Sequence, residues 1–250
     1  MSPVAVSKMH GTLNDFVVLD ERASTAVGDV VQFARQICDR RGGIGADGLI
    51  VLLPSERADA RMRIINADGS EAEMCGNGMR CAVRYLSERG EGDRFNIETL
   101  AGIIGAHVLE KGDAYRIRLN VGVPKFEHRA LPFKDAVFVS VGNPHVVIFE
   151  RSLDAIDLVA TGERMRDVNV HLAVMVDRHR IDVRHYERGA GLTKACGTGS
   201  VACAAAAIKR GAADSPVSVQ VPGGMLTVEW DGSGEAYLTG PAVRVFDARI

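Results

Sequence analysis

The chain has 250 residues, of which 46% are hydrophobic and 25% are charged. This composition is typical of a globular protein, and it excludes a long disordered chain, a fibrous repeat and a miniprotein. The formal net charge is −2 and no block of like charges occurs, so neither nucleic acid nor a membrane surface is the expected partner. Without a signal-peptide pattern or a long apolar run, the chain is expected to be cytoplasmic, with its five cysteines as thiols.

Short runs rich in Val and Ile, bounded by turn residues, predict strands along most of the chain, and longer runs of helical periodicity predict four helices. In chain order the predicted elements are strand Phe16–Leu19, helix Ala26–Arg40, strands Leu49–Leu53 and Arg61–Ile65, helix Gly76–Arg89, strands Ile103–Leu109, Tyr115–Val121, Ala136–Val141 and Val146–Phe149, helix Leu153–Thr161, strand Leu172–Val176, helix Gly197–Arg210, and strands Val217–Val221 and Met225–Trp230. Since helices and strands do not alternate regularly, the pattern indicates an α+β fold.

The second half of the chain repeats the first. At a shift of 121 residues, Arg61–Gly90 aligns without a gap on Asp182–Gly211, and Cys75-Gly-Asn-Gly falls on Cys196-Gly-Thr-Gly. We therefore predict two related domains, an N-terminal lobe of residues 1–124 that carries Cys75 and a C-terminal lobe of residues 125–250 that carries Cys196. The last residues of the chain are free to pack back onto the first lobe.

A Cys-Gly-x-Gly element at the start of a helix suits both anion binding and thiolate chemistry. The glycines allow close approach of the backbone to a ligand, and the first helical turn leaves N–H donors at the positive end of the dipole. Such a helix start attracts a carboxylate and lowers the pKa of an adjacent cysteine. Two of these elements, one from each half, predict one carboxylate between two helix starts, with Cys75 and Cys196 on either side.

This arrangement fits inversion at a carbon next to a carboxylate. One thiolate removes the α-proton, and a thiol on the opposite face returns a proton. Backbone N–H groups stabilise the charge that develops on the carboxylate, so the scheme requires no metal ion and no pyridoxal cofactor. The spacing of Cys75 and Cys81 does not suit zinc. We expect Cys38, Cys81 and Cys203 to pack in the core.

Five segments resemble those of the diaminopimelate epimerase family: Lys8–Phe16, Asn66–Cys81, Gly142–His145, Tyr186–Gly199 and Leu238–Ala242. They follow the family's order across nearly the whole chain. The resemblance implies two pseudo-symmetric lobes, each a β-barrel-like sheet around a central helix. It also implies cofactor-independent conversion of LL-2,6-diaminopimelate to the meso form, for lysine and peptidoglycan synthesis. The expected partners are this small zwitterionic amino acid and a second copy of the chain in a homodimer.

Position by position, the resemblance assigns Cys75 and Cys196 as the two catalytic cysteines. His145 matches a histidine that helps to ionise the first cysteine, and Glu187 matches a glutamate that does so for the second. The substrate-binding residues that the resemblance implies are Asn14, Asn66, Gly76, Asn77, Asn143, Asn169, Glu187, Arg188, Gly197 and Thr198. Five further histidines, His107, His128, His171, His179 and His185, are predicted to be surface or strand positions.

The sequence departs from the family's commonest pattern at Leu13, Gly48 and Leu192. These departures leave open a racemase of another amino acid, such as histidine, on the same fold. Two hypotheses from other classes are a dithiol redox protein that uses Cys75 and Cys196, and a module that only binds a carboxylate. Incorporation of solvent deuterium at the α-carbon distinguishes a racemase from both.

Overall fold

A computed structural model describes residues 3–23 and 27–250 of the chain. The helices in these residues are α1 (Val30–Ile37), α2 (Gly76–Glu88), α3 (Leu158–Arg164) and α4 (Gly197–Lys209). The strands are β1 (Ala5–Gly11), β2 (Asn14–Asp20), β3 (Gly48–Leu53), β4 (Ala60–Asn66), β5 (Glu71–Ala72), β6 (Arg94–Thr99), β7 (Gly102–Glu110), β8 (Ala114–Asn120), β9 (Lys125–Glu127), β10 (Ala136–Ser140), β11 (Pro144–Phe149), β12 (Asn169–Asp177), β13 (Arg180–Glu187), β14 (Gly191–Thr193), β15 (Val217–Val221), β16 (Gly224–Glu229) and β17 (Tyr237–Arg249). None of the helices in the described ranges has the length and apolarity that a membrane span requires.

The chain forms two compact units with the same order of elements. The first comprises the residues up to Leu119 together with Gly240–Ile250, and the second comprises Asn120–Thr239. The first contains β1-β2-α1-β3-β4-β5-α2-β6-β7-β8 and most of β17, and the second contains β9-β10-β11-α3-β12-β13-β14-α4-β15-β16 and the first residues of β17. Helices α2 and α4 are both 13 residues long and occupy equivalent positions in the internal repeat.

Eight strands form a closed ring in the first unit. Their order is β17-β1-β2-β3-β4-β6-β7-β8, and β8 pairs with β17 to complete the ring. The pairs β2–β3 and β4–β6 are parallel. Helix α2 packs against β1, β2, β3, β4 and β7, and every residue of this helix except Glu88 is buried. A helix buried on all sides forms the core of its unit.

The second unit repeats this pattern of pairing. Its strands follow the order β9-β10-β11-β12-β13-β15-β16-β17, with parallel pairs β11–β12 and β13–β15 at the equivalent positions. Helix α4 packs against β10, β11, β12, β13, β15 and β16, and its alanines Ala204–Ala207 are completely buried. The predicted α+β fold of two similar lobes, each a barrel-like sheet around a central helix, is confirmed.

The parallel strands β2 and β3 are buried on both faces. Val17 and Leu49 belong to the hydrophobic cluster that α1 covers, whereas Phe16 and Ile50 face the central helix at Gly78. A strand that is buried on both faces needs apolar residues at nearly every position, and both of these strands have such a sequence.

The predictions of helices at 26–40 and 153–161 are wrong in their bounds. Helix α1 begins at Val30 because the Asp29 carboxylate accepts hydrogen bonds from two amides of the first turn. Ala26 lies outside the described residues. Helix α3 begins at Leu158, where Asp157 caps it by accepting from the amide of Ala160. A capping aspartate marks a helix start more strongly than apolar spacing does.

The predictions also miss strands β1, β5, β6, β9, β13, β14 and β17. Strand β13 shows the reason, since exposed charged residues alternate with the buried Ile181, Val183 and His185. Such alternation is typical of strands with one face covered, but a search for apolar runs passes over it.

Candidate active site

The first half of the candidate site surrounds Cys75, the residue before α2. Its backbone is extended (φ −140°, ψ 116°), and the chain becomes helical at Gly76. The half-buried thiol donates to Asn14 Oδ1 at 3.6 Å from Sγ to Oδ1. The sulfur therefore lies at the positive end of the α2 dipole.

A charged network fixes the amide of Asn14. Its Nδ2 donates to Asp47 Oδ2 at 2.7 Å, and its Oδ1 accepts from Asn77 Nδ2 at 3.1 Å. Asp47 is held by Arg40, with 2.8 Å between Nη2 and Oδ1. Because donors and acceptors at both ends of the amide are matched, Asn14 presents its oxygen to Cys75 in one orientation.

Arg80 is completely buried in α2 and, among the described residues, donates to neutral acceptors. Its guanidinium reaches Asn77 Oδ1 at 2.8 Å, Pro241 O at 3.0 Å, Gly76 O at 3.2 Å and Thr12 Oγ1 at 3.3 Å. Burial lowers the pKa of this guanidinium to about 10, so it remains charged at neutral pH. The first half of the site thus contains a buried positive charge, and the fully buried Val201 occupies the equivalent position of α4.

The second half of the candidate site surrounds Cys196, the residue before α4. Its sulfur accepts a hydrogen bond from the Gly199 amide at 3.4 Å and lies 3.7 Å from Thr198 Oγ1. The thiol also donates a hydrogen bond to the carboxylate of Glu187, which lies at the end of β13. Oε1 of Glu187 accepts from Thr193 Oγ1 at 2.5 Å.

Burial is the largest cause of the pKa shifts of Cys196 and Glu187 in this second half. It raises the pKa of Cys196 well above its ordinary value, and the nearby Glu187 charge raises it further. Burial also raises the pKa of Glu187, which brings the carboxylate closer to the pH range in which it can exchange a proton. Cys196 is therefore a thiol near neutral pH.

Asn66 and Glu187 are equivalent in the repeat but make different contacts. The Asn66 amide donates to Ser70 Oγ at 2.9 Å, whereas Glu187 contacts its cysteine. Equivalent positions of the two repeats thus carry side chains of different chemistry.

The Asn169 side chain links two segments of the second unit. Its Nδ2 donates to Pro144 O at 3.1 Å, and its Oδ1 accepts from the Arg188 amide at 3.0 Å. The Arg188 side chain is exposed, so its guanidinium is accessible to a ligand. These contacts make Asn169 a support for the segment that carries Arg188.

His145 begins a chain of three buried histidines. Its Nδ1 lies 2.8 Å from His171 Nε2, and His171 Nδ1 lies 2.8 Å from His185 Nδ1. His145 Nε2 lies 2.7 Å from Asn143 Oδ1. His171 and His185 do lie on strands, as predicted, but the alternative of surface positions is wrong for both because their exposures are 0% and 1%.

The buried His171 ring also explains the second glycine of Cys196-Gly-Thr-Gly. A Cβ atom on Gly199 would lie 2.5 Å from His171 Cε1, whereas one on the equivalent Gly78 would lie 3.3 Å from the flexible end of Ile50. We expect Gly199→Ala to lower the free energy of unfolding by about 2 kcal/mol, because the ring is held by hydrogen bonds on both sides and cannot move away.

Gly78→Ala is the matched control for this substitution. It should change stability by less than about 1 kcal/mol, since the gain in helix propensity offsets a mild contact. Urea unfolding measures both variants. Equal effects of the two substitutions would contradict the explanation for Gly199.

The three departures from the family pattern have different structural settings. Leu13 and Leu192 are exposed, and Leu13 has a positive φ of 62° in the turn before Asn14. Gly48 is buried, and a Cβ there would lie 3.0 Å from the carbonyl oxygen of Ile65. A long polar side chain at Gly48 would therefore require the backbone of β4 to shift.

Sequence reasoning missed several residues that shape the two halves, namely Asp47, Arg80, Thr193, His171 and His185. The repeat offered one signal, because Arg80 and Val201 are equivalent and differ in charge. Cys38, Cys81 and Cys203 are buried, as predicted for core cysteines. Within the described part of the chain, no group of three or more His, Cys, Asp or Glu side chains could hold a metal ion.

The chain is similar to proteins of one known family. The family model described as diaminopimelate epimerase matches residues 6–127 and 137–245. A diaminopimelate epimerase from Rhizorhabdus wittichii is 42% identical over 98% of this chain and 94% of that relative. One from Archaeoglobus fulgidus is 42% identical over 98% of this chain and 95% of that relative.

Solved structures of lower identity share the fold. A phenazine biosynthesis protein of the PhzF family from Bacillus anthracis has a TM-score of 0.78 at 21% identity, covering 100% of this chain and 99% of its own. A hydroxyproline epimerase from Agrobacterium vitis, with bound trans-4-hydroxy-L-proline, has a TM-score of 0.73 at 16% identity, covering 100% and 91%.

Proposed function

Because the chain belongs to the diaminopimelate epimerase family, we propose that it converts LL-2,6-diaminopimelate to the meso form with Cys75 and Cys196 as its acid and base. The observation that carries this proposal is the occurrence of two cysteines at equivalent helix starts, α2 and α4, in a member of that family. The enzyme is an isomerase.

In the proposed reaction, a cysteine thiolate takes the α-proton and leaves its bonding electron pair on the substrate. The resulting negative charge spreads onto the adjacent carboxylate, which we assign to the backbone amides of Gly76, Asn77, Gly197 and Thr198 in the first turns of α2 and α4. The other cysteine, as a thiol, gives a proton to the opposite face of the carbon. One proton has been removed and one added, so no oxidant, reductant or cofactor is consumed.

Glu187 supports the proposed role of Cys196. The Glu187 carboxylate accepts the thiol hydrogen bond, and both groups have a raised pKa. The proton therefore stays on sulfur until a substrate arrives, so Cys196 is ready to act as an acid. In the reverse direction Glu187 can take this proton and generate the thiolate.

The distal end of the substrate is an amino acid group with two charges of opposite sign. We assign Arg188 to its carboxylate, because an exposed guanidinium can donate two parallel hydrogen bonds. The family resemblance also supports roles for Asn14, Asn66, Asn143, Asn169 and Glu187 at this end. By the same resemblance, we propose a homodimer, which light scattering would test by its mass. We also propose that the protein is cytoplasmic.

Incubation with LL-2,6-diaminopimelate in deuterium oxide tests the proposal. We expect one deuterium at each inverted α-carbon, seen as a single mass unit, without added cofactor. Activity should persist in an excess of thiol reductant and chelator. Loss of activity under those conditions, or binding without exchange, would contradict the two-thiol reaction.

Competing amino acids test the substrate. Leu13 and Leu192 depart from the family's commonest pattern, so histidine, glutamate and proline are offered beside LL-2,6-diaminopimelate at equal concentration. We expect inversion of diaminopimelate alone. Faster inversion of another amino acid would assign the same chemistry to a different substrate.

A further inference from the structure

Three neighbouring strands each place one histidine on a common buried face. His145 lies on β11, His171 on β12 and His185 on β13, and each ring is at most 1% exposed. The rings are joined in series by two contacts of 2.8 Å, and the series ends on Asn143 Oδ1, 2.7 Å from His145 Nε2.

The order of protons along this series follows from its two ends. Oδ1 of an asparagine can only accept, so His145 Nε2 carries a proton and His145 Nδ1 is an acceptor. His171 then donates from Nε2 and accepts at Nδ1. His185 donates from Nδ1, and its Nε2 is left as a bare acceptor.

The opposite order is less favourable. It would place an N–H group on His185 Nε2, which is buried without a hydrogen-bond partner among the described residues. A buried N–H without an acceptor costs more than an unused lone pair of a neutral ring. Burial also lowers the pKa of His145 and of His185 to about 3 and that of His171 well below its ordinary value, so all three rings are neutral.

From this order we infer that the three histidines make Asn143 a dedicated hydrogen-bond donor to an oxygen of the substrate. With Oδ1 engaged by His145, the half-buried Asn143 can offer only the N–H groups of Nδ2 to a ligand. Those donors suit a carboxylate oxygen and repel an ammonium group. His171 and His185 are positioning residues that act through His145. The inference deepens the proposed function, because it assigns Asn143 to a carboxylate of the amino acid.

The proton order is measurable without any substrate. Nitrogen chemical shifts of protein labelled with ¹⁵N-histidine distinguish the two neutral tautomers from imidazolium. We expect the Nε2–H tautomer at His145 and His171 and the Nδ1–H tautomer at His185. An Nδ1–H tautomer at His145, or an imidazolium at any of the three near neutral pH, would overturn the inference whatever reaction the protein catalyses.

Asn143→Asp tests the consequence for binding. The aspartate still accepts from His145 Nε2, but it offers the substrate an acceptor in place of two donors. We expect KM for the amino acid that the protein turns over to rise by more than about tenfold, because an acceptor and a negative charge then face the carboxylate. An unchanged KM would refute the assignment.

A pair of substitutions at His171 separates positioning from packing. Glutamine can still donate a hydrogen bond to His145 Nδ1, whereas methionine cannot. Only His171→Met therefore allows the hydrogen bond between His145 and Asn143 to reverse its direction. We expect His171→Met to raise KM about tenfold with kcat changed by less than about threefold, and His171→Gln to restore most of the binding. Equal KM values for the two variants, with both folded by urea unfolding, would show that His171 only fills space.

Discussion

Cys75→Ala and Cys196→Ala are each expected to lower the rate of inversion by about a thousandfold or more. In the proposed reaction each substitution removes one of the two groups that transfer the α-proton, and positioned acids and bases contribute factors of this size. The remaining cysteine still reaches one face of the carbon. Each variant should therefore exchange the α-proton of one epimer with deuterium while its configuration is retained, which mass and chiral analysis together would show.

Cys81→Ala and Cys203→Ala are matched controls, since these cysteines lie on the same two helices and are completely buried. They should lower stability through a small cavity and leave kcat within about threefold. Near-normal inversion by Cys75→Ala or Cys196→Ala would exclude the two-thiol reaction. Equal loss of activity in the controls would attribute the effect to folding.

The free energy of unfolding is expected to fall steeply as the pH drops from about 7.5 to about 5.5. The three buried histidines have lowered pKa values in the folded chain, but regain ordinary values near 6.5 when it unfolds. Below pH 6.5 the unfolded chain binds more protons, so stability rises with pH and is lost on acidification. The loss over this range is about 1.4 kcal/mol for each histidine, or about 4 kcal/mol for all three.

Urea unfolding at a series of pH values measures this loss. His185→Gln removes one titrating ring while it keeps a donor for His171, so its loss over the same range should be smaller by about 1.4 kcal/mol. A variant that loses as much stability as the unmodified chain would show that His185 is not a neutral buried group.

Much of the fold was predictable because the repeat occurs in the sequence itself. The Cys-Gly-x-Gly elements predict the starts of α2 and α4 correctly, since glycine and helix-start geometry are local properties. The pairing of β17 with β1 was not predictable in the same way. It joins residues at opposite ends of the chain, and no local pattern indicates it.

The candidate site shows the same division. Cys75, Cys196 and Glu187 lie in motifs that can be read from the sequence. The histidine chain is assembled across strands, because residues 145, 171 and 185 become neighbours only through the pairing of β11, β12 and β13. Single histidines among apolar residues carry no such signal.

The closed ring of the first unit has a consequence for how the protein is made. Its strands β1 and β8 are synthesised early, but the strand that pairs with both of them, β17, occupies the last residues of the chain. While the ribosome is still translating the second unit, the first unit has two open edges, which are sites of aggregation in nascent proteins. The first unit therefore cannot close its ring of strands until the whole second unit has been synthesised.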